Sequence, residues 1–434
     1  MKGGIKHIIL SIIVVSLFLP LLQESFHLSK IRPLSGDYVP ADNMPATWKT
    51  WFNGEFQVNK EKFLQDHFGY HNTYIRLHNQ LYFYLFKKAK ANGVIIGKHN
   101  YLYEQKYIDA YYGSDFIGVD SIRKKMWMTH LLADTLQKMN KTFLVIFAPA
   151  KGSYYPEYIP DHKKAMKGIT NAEVYKRFAR EMQVPHIDFH TWFMQQKERS
   201  AYPLMARYGI HWSQYGAMLA ADSIIKTIEK ARNIDIANLY WNKINIEKAR
   251  DTDIDIEKGM NLLFTLEPEQ MAYPEIFFED TMGKAQPSVL VIGDSFYWQI
   301  FGVGISNIFK QSDFWYYFKS AHNPKFAKTK KMEEVDVVSE INQHEVIMIL
   351  STETHLPNFG WNFIETLFKH YYGNRTQQPA DPHYLYEIEM MKKSIAADKE
   401  WMKLVIEKAR QRSIPIDSML YLDAKWSVDE NRKK

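Results

Sequence analysis

The 434-residue chain contains no cysteine, and this absence excludes several kinds of chemistry. Disulfide bonds, thiolate metal sites and cysteine nucleophiles are all ruled out. The chain also lacks a dense basic block and a zinc-finger spacing of ligands, because its net charge of +6 is spread along the sequence. We therefore expect no nucleic-acid partner, and we predict neither a metal site nor a cofactor.

A short apolar run at the amino terminus, residues 8–22, decides the expected compartment. Lys2 and Lys6 precede this run, and no small-x-small cleavage pattern follows it. We interpret residues 1–25 as an uncleaved signal anchor, with a cleaved signal peptide as the alternative, since fifteen residues are short for a full span. Either interpretation predicts a periplasmic or extracytoplasmic protein, and the anchor would hold it to the inner membrane.

The remaining chain has the composition of an ordinary globular protein, with 46% hydrophobic and 24% charged residues. Residues 26–50 contain Pro, Asp and Ser and are predicted to be a linker. We assign residues 51–375 to one principal domain and residues 376–434 to a helical carboxyl-terminal extension. No internal repeat and no low-complexity segment is present.

Buried strands alternate with helices along the principal domain, which predicts a parallel sheet with helices on both faces. A β-hairpin is expected at residues 93–103, and residues 251–286 look irregular. The predicted strands are 142–149, 184–188, 288–292, 313–318 and 344–350, and the predicted helices are 120–139, 171–182, 214–231 and the segment after about residue 384.

The predicted strand 288–292 ends in Gly293-Asp294-Ser295, residues that favour a sharp turn. Ligands bind beyond the carboxyl ends of strands in open α/β sheets, so this turn presents a serine hydroxyl to substrate. A serine nucleophile needs a base, and His211 lies in a loop just before the helix predicted at 214–231. Together the two segments predict acyl transfer by a serine–histidine mechanism.

Three residues are candidates for binding substrate. Lys151 follows a predicted strand and could hold an anionic or hydroxyl-rich group, while a solvated lysine is an equal alternative. Trp212 could stack on a sugar ring, although packing in the core is at least as well supported. Tyr297, two residues after Ser295, completes this set.

Five short motifs resemble the SGNH-hydrolase-like domain of the alginate O-acetyltransferase family over about residues 50–370. They are Gly97-Lys98-x-x-Tyr101-Leu102, Pro149-Ala150-Lys151, Tyr202-Pro203-Leu204, His211-Trp212-Ser213-x-x-Gly216-Ala217 and Gly293-Asp294-Ser295-Phe296. Each motif is weak alone, but the five stand in the order of the family. The resemblance implies a three-layer α/β/α sandwich with a parallel sheet, to which the chain adds the membrane anchor and the helical extension.

The same resemblance implies O-acetylation of an extracytoplasmic polysaccharide, with the acetyl group passed outward by a membrane-bound O-acyltransferase. Ser295 would be the nucleophile and His211 the base, and the oxyanion donors would be the Ser295 backbone N–H and a neighbouring group. Because the same acyl-enzyme reacts with water, a carbohydrate acetylesterase of this fold is an alternative function.

The chain departs from the family pattern at Gly209, where the family has the aspartate that orients the imidazole. The protein could use a Ser–His dyad, or another acid could take the role, or the site could be degenerate and only bind polysaccharide as an assembly subunit. Strand-end positions give Asp294, Asp188 and Glu353 as candidate acids, and Asp294 joins Ser295 and His211 in the predicted catalytic set.

Overall fold

The computed structural model describes residues 2–36, 38–324, 328–373, 382–412 and 414–432. The β-strands are β1 Val94–Ile96, β2 Leu102–Glu104, β3 Thr142–Ala148, β4 His186–Asp188, β5 Leu239–Lys248, β6 Gln270–Phe278, β7 Ser288–Gly293, β8 Gln311–Tyr316, β9 Ser320–His322, β10 Lys330–Lys331 and β11 Val346–Thr352. The α-helices are α1 Lys2–Phe26, α2 Trp48–Phe52, α3 Glu55–His67, α4 His71–Phe86, α5 Gln105–Tyr112, α6 Val119–Lys138, α7 Lys151–Tyr154, α8 Asn171–Glu181, α9 Phe189–Gln196, α10 Gln214–Arg232, α11 Asp255–Gly259, α12 Tyr297–Val303, α13 Val337–Gln343, α14 Phe363–Tyr372, α15 Pro382–Ala397, α16 Lys399–Arg412 and α17 Ile416–Arg432.

The central sheet has the strand order β10-β9-β8-β7-β11-β3-β4. The five strands from β8 to β4 pair in parallel, and β9 and β10 add an antiparallel edge. Strands β7, β11 and β3 are rich in β-branched and apolar residues because helices cover both of their faces. The predicted parallel sheet is confirmed, and its central strand β7 is the one that leads to Ser295.

The alternation of side chains along these strands divides the core in two. Val289 and Val291 pack in the cluster that contains the buried face of α10, and Leu290 and Ile292 pack in the cluster that contains α6, α8 and α14. Burying an aliphatic side chain of this size contributes about 1.5–3 kcal/mol, so the two cores hold three layers together. The three-layer α/β/α arrangement predicted from the sequence is confirmed.

Two predictions about strands were wrong. Residues 251–286 are not irregular, because β5 and β6 form a long antiparallel pair and α11 lies in the connection between them. The strand predicted at 313–318 ends at Tyr316, since Tyr317 and Phe318 make a tight turn into β9. Both differences place residues beside Ser295 that the sequence pattern did not bring there.

The chain ends are helical. Helix α1 contains a segment of 22 residues, Ile5–Phe26, that is long and apolar enough to cross a membrane: an 18-residue window of it has a mean hydropathy of 2.4 and holds no buried residue. Helices α15, α16 and α17 pack on one another through a separate apolar cluster that includes Ile395, Val405 and Met419. The boundary predicted between residues 375 and 376 lies outside the described residues.

Candidate active site

Ser295 lies directly beyond the carboxyl end of β7, in the turn that leads into α12. The turn is closed by hydrogen bonds from the Tyr297 N–H to the Asp294 carbonyl and from the Trp298 N–H to the Ser295 carbonyl, each 3.2 Å long. Ser295 is half-buried, whereas its neighbours Asp294 and Phe296 are fully buried. The fold thus presents the serine hydroxyl at the rim of the sheet.

The side chains of His211 and Ser295, 84 residues apart in the chain, lie in hydrogen-bonding contact. The distance from His211 Nε2 to Ser295 Oγ is 2.9 Å. Two further contacts hold the segments together: the His211 and Phe296 rings are 4.8 Å apart, and the Trp212 indole N–H donates to the Phe296 carbonyl at 3.2 Å. The imidazole is therefore placed to accept the proton of the serine hydroxyl.

The acid beside His211 is Asp255, the first residue of α11. Its Oδ2 lies 2.5 Å from His211 Nδ1. Its Oδ1 accepts hydrogen bonds from the backbone N–H groups of Ile210 at 2.9 Å and Ile256 at 2.7 Å. When Nδ1–H donates to this carboxylate, Nε2 is left without a proton and can act as the base toward Ser295.

Gly209 explains why the acid comes from α11. A Cβ atom at this position would lie 2.3 Å from the Thr252 carbonyl oxygen and 2.9 Å from the Asp253 carbonyl carbon. The connection between β5 and α11 therefore occupies the space that a side chain at 209 would need. The only signal for Asp255 in the sequence was the acid-rich stretch 251–257, which has no motif and looked irregular.

The three acids suggested by strand-end positions have other partners, and the assignment of Asp294 as the triad acid is corrected. Asp294 accepts from the N–H and hydroxyl of Thr352 at 2.7 and 2.8 Å, so it ties the end of β7 to the end of β11. Asp188 caps α9 through the Thr191 N–H at 2.9 Å. Glu353 is buried against His190 at 2.6 Å.

The three candidate substrate-binding side chains are buried, so the structure does not support direct contact with substrate. The Lys151 ammonium donates to the Arg207 and Gly209 carbonyls at 2.8 and 2.5 Å, and burial lowers its pKa to about 7. These two hydrogen bonds of Lys151 stabilise the loop that carries His211. Trp212 packs in the core, and the Tyr297 ring lies 4.9 Å from that of Phe314.

Among the described residues, one cluster has donor atoms close enough to hold a metal ion: Asp313, Glu340 and His344. It lies near the opposite ends of the strands from Ser295. His344 Nε2 is 2.7 Å from the Asp313 carboxylate, which also accepts from the side-chain amides of Gln311 and Asn323. These hydrogen bonds already satisfy the buried carboxylate, and we assign the cluster no catalytic role.

Comparison with known proteins gives the same family as the motifs. Residues 94–254 match the model of the SGNH hydrolase-like domain, acetyltransferase AlgX, and this match ends one residue before Asp255. The probable alginate O-acetylase AlgJ of Pseudomonas syringae pv. tomato is 26% identical over 178 residues, which are 40% of this chain and 43% of that protein. The match thus spans less than half the length of this curated relative.

Two solved structures of acetyltransferases with related names are similar to this chain, with low sequence identity. The O-acetyltransferase domain of Pseudomonas putida AlgJ gives a TM-score of 0.43 at 16% identity and covers 64% of this chain and 99% of that one. Pseudomonas aeruginosa AlgX gives a TM-score of 0.40 at 12% identity and covers 63% and 67%. The family match over residues 94–254 and the related sequence together support an alginate O-acetyltransferase-like SGNH domain in this chain.

Proposed function

We propose that the protein is an O-acetyltransferase that moves an acetyl group onto hydroxyls of an extracytoplasmic polysaccharide through an acetyl-Ser295 intermediate. The observation that carries this proposal is the hydrogen-bonded series Asp255–His211–Ser295, with distances of 2.5 and 2.9 Å. The carboxylate also removes the main argument for a degenerate binding subunit, which was the glycine at position 209. The acetyltransferase family match supports acetyl as the group transferred.

In the first half of the reaction, Ser295 Oγ attacks the carbonyl carbon of the acetyl donor and its proton passes to His211 Nε2. Asp255 stabilises the imidazolium that forms, because its Oδ2 faces Nδ1 and its other oxygen is held by two backbone N–H groups. The tetrahedral intermediate then collapses. The leaving group of the donor takes the proton from Nε2, and acetyl-Ser295 remains.

In the second half, a sugar hydroxyl attacks the carbonyl carbon of acetyl-Ser295 while His211 Nε2 accepts its proton. Collapse of the second tetrahedral intermediate releases the acetylated sugar, and the proton on Nε2 returns to the Ser295 oxygen. Water in place of the sugar would give acetate instead. Transferase and esterase therefore share every protein group named here and differ in the nucleophile that reaches the acyl-enzyme.

The proposed setting is the outer face of the inner membrane. Helix α1 would anchor the domain there, because its 22-residue apolar segment is long enough to cross a bilayer and is exposed over residues 5–18. A membrane-bound O-acyltransferase would supply the acetyl group, and the polymer on the same side of the membrane would receive it. This setting accounts for a soluble-type α/β domain joined to a helix that can span a bilayer.

The test uses Ser295→Ala and, as a matched control, Ser312→Ala. Ser312 lies in strand β8 and is buried, but its hydroxyl has no hydrogen-bond partner, so the loss of this hydroxyl should be harmless. With p-nitrophenyl acetate and a glycan acceptor, Ser295→Ala should lose at least about 10³-fold in rate, while Ser312→Ala stays within twofold of the natural protein.

The products separate the proposed function from its alternatives. O-acetylated glycan, measured by mass spectrometry, supports the transferase, and free acetate as the only product in the presence of glycan would favour the esterase. Equal rates for Ser295→Ala and the natural protein would overturn the acyl-enzyme mechanism altogether.

A further inference from the structure

The turn between β8 and β9 holds two aromatic residues in a backbone conformation that they rarely adopt. Tyr317 and Phe318 both have φ of 51°, and the turn is closed by the Lys319 N–H and the Tyr316 carbonyl at 3.0 Å. Asn and Gly normally occupy such left-handed positions in a hairpin turn. A residue of another type is strained in this conformation, and strain of this kind is concentrated at active sites.

A third residue in the left-handed region, Trp361, lies against Tyr317. Trp361 has φ of 44°, and its ring centroid lies 5.4 Å from that of Tyr317. The ring of His355 lies between 5 and 6 Å from both of these rings. Tyr317, His355 and Trp361 thus form one half-buried aromatic cluster at the carboxyl edge of the sheet.

Tyr317 lies beside the turn of Ser295, since its backbone N–H donates to the Gly293 carbonyl at 2.9 Å. Its hydroxyl is 3.2 Å from His355 Nε2 and near enough to the Ser295 side chain to affect the pKa of Tyr317. Burial raises the pKa of Tyr317 above its ordinary value and lowers that of His355, so both groups are neutral near pH 7. Tyr317 therefore keeps its proton and can donate a hydrogen bond, while His355 fixes the phenolic oxygen.

The position of Tyr317 is complementary to that of His211. His211 comes from the loop before α10 and takes the proton of Ser295, whereas Tyr317 follows β8, the strand beside β7. Tyr317 lies beside the turn of the nucleophile and is not the base, so its hydroxyl is available to the carbonyl oxygen of an acetyl group on Ser295. We propose that Tyr317 is a further catalytic residue, whose hydroxyl donates a hydrogen bond to the oxyanion of the tetrahedral intermediate formed on Ser295.

This proposal rests on the proposed acyl-enzyme function and adds a group to it. When Ser295 Oγ bonds to the acetyl carbon, the carbonyl double bond opens and its electron pair moves onto oxygen. The Tyr317 O–H and the Ser295 backbone N–H would both donate hydrogen bonds to that oxygen without giving up their protons, while the proton of Ser295 Oγ passes to His211 Nε2. The strained turn would then place a tyrosine hydroxyl at this site. Tyr317 is the only residue of the turn 317–318 whose side chain carries a hydroxyl.

The test is Tyr317→Phe in the full chain, which removes one oxygen atom and keeps the ring. Removing one oxyanion donor lowers kcat about 10²–10³-fold. We expect this loss with p-nitrophenyl acetate, with KM changed less than threefold and the midpoint of thermal unfolding unchanged within 2 °C. Tyr297→Phe is the matched control, since this nearby buried hydroxyl has no partner and its removal should change kcat less than twofold.

A tetrahedral adduct gives a readout that a packing role would not change. Methylboronic acid bonds to an active-site serine as a charged tetrahedral species, so Tyr317→Phe should weaken its inhibition at least tenfold. A kcat within threefold of the natural protein, or a lower kcat with unchanged boronate inhibition, would overturn the proposal. Ser295→Ala shows whether a failure concerns the proposed function or only the role of Tyr317. If Ser295→Ala stays active, the proposed function fails. If Ser295→Ala is inactive while Tyr317→Phe is active, only the inference about Tyr317 fails.

Discussion

At the scale of single residues, the site keeps a carboxylate beside the imidazole but takes it from an unexpected part of the chain. Asp255 follows His211 by 44 residues, whereas the family pattern has the acid two residues before the histidine. The orienting role depends on the position of the oxygen relative to Nδ1, and the chain order of the residues does not matter to it. The glycine at position 209 leaves room for the connection that carries Asp255, and Asp255 supplies the carboxylate that position 209 lacks.

Asp255→Asn is expected to lower kcat by about 10³–10⁴-fold, because an amide favours the tautomer of His211 that cannot accept the serine proton. The substitution keeps the size of the side chain, and its oxygen can still accept from Ile210 and Ile256. Initial rates with p-nitrophenyl acetate measure the effect. Asp251→Asn is the control, since that side chain is 58% exposed, and a rate for Asp255→Asn within fivefold of the natural protein would contradict the assignment.

The double variant Gly209→Asp/Asp255→Asn extends this experiment. If the acid could simply return to position 209, the double variant would regain activity. We expect no recovery and a lower midpoint of unfolding, because the new Cβ would lie 2.3 Å from the Thr252 carbonyl oxygen.

Asp253, two residues before Asp255, should make the stability of the protein depend on pH. Burial raises its pKa from 3.8 to about 7, although Tyr273 donates a hydrogen bond to it at 2.8 Å. Between about pH 4 and 7 the folded protein holds a proton that the unfolded chain releases, so the free energy of unfolding falls as pH rises through this window. Asp253→Asn removes this decrease in the free energy of unfolding, because the asparagine side chain does not ionise.

We therefore expect the unfolding midpoint of Asp253→Asn to exceed that of the natural protein by a margin that grows from pH 5 to pH 8. Thermal unfolding followed by circular dichroism at each pH measures the margin. Asp280→Asn serves as the control, with a margin that stays constant, because this exposed carboxylate is not among the charges that raise the pKa of Asp253. A constant margin for Asp253→Asn as well would mean that its carboxyl group is already ionised at pH 5.

At the scale of elements, the sequence predicts those parts of the fold in which one local signal dominates. The strands β3, β7 and β11 are apolar on both faces and could be recognised without any partner, as could the amphipathic helix α10. Ser295 and His211 were found because turn residues and a loop position mark them. Ser295 and His211 lie close together because the strands of the sheet are parallel. The alternation of strands and helices in the sequence already implies this parallel order.

Elements that depend on a distant partner could not be predicted. Strand β5 is largely exposed and β6 contains Pro274, so neither has the pattern of a buried strand. Because the two strands were not predicted, Asp255 in the connection between them was not recognised as the acid beside His211. The turn at Tyr317 and Phe318 contains no Gly or Asn, and it is stabilised by surrounding contacts against its own preference. Lys151 was misjudged because the loop that buries its ammonium group lies more than fifty residues further on.

At the scale of the whole molecule, α1 is fixed to the domain and does not hang from a free tether. A Cβ atom at Gly69 would lie 2.1 Å from the Pro20 carbonyl oxygen, so the backbones of α1 and the α3–α4 junction are in close contact. The Gln23 side chain accepts from the Ser29 N–H at 3.0 Å and donates to the Ser29 carbonyl at 2.9 Å. If α1 crosses a bilayer, the junction of α3 and α4 is held close to the membrane surface.

The last prediction concerns this proposed anchor. Replacing both Ile12 and Val15 by arginine places two charges near the middle of the apolar segment, where each costs about 2.5–3.5 kcal/mol of insertion free energy. We expect the variant to leave the membrane fraction, as measured by immunoblotting after carbonate extraction. Both side chains are more than half exposed and belong to no described core, so hydrolysis of p-nitrophenyl acetate by the purified variant should stay within twofold of the natural protein.

The conservative pair Ile12→Leu/Val15→Leu is the control and should remain in the membrane fraction. If the arginine variant stays there too, another part of the chain must bind the membrane, and the role proposed for α1 would be wrong. If the arginine variant is released and hydrolyses ester at the natural rate, yet no longer acetylates polymer in cells, the two functions of the chain are separated. The domain would then supply the acyl-enzyme chemistry, and α1 would place it where a membrane-bound donor can reach Ser295.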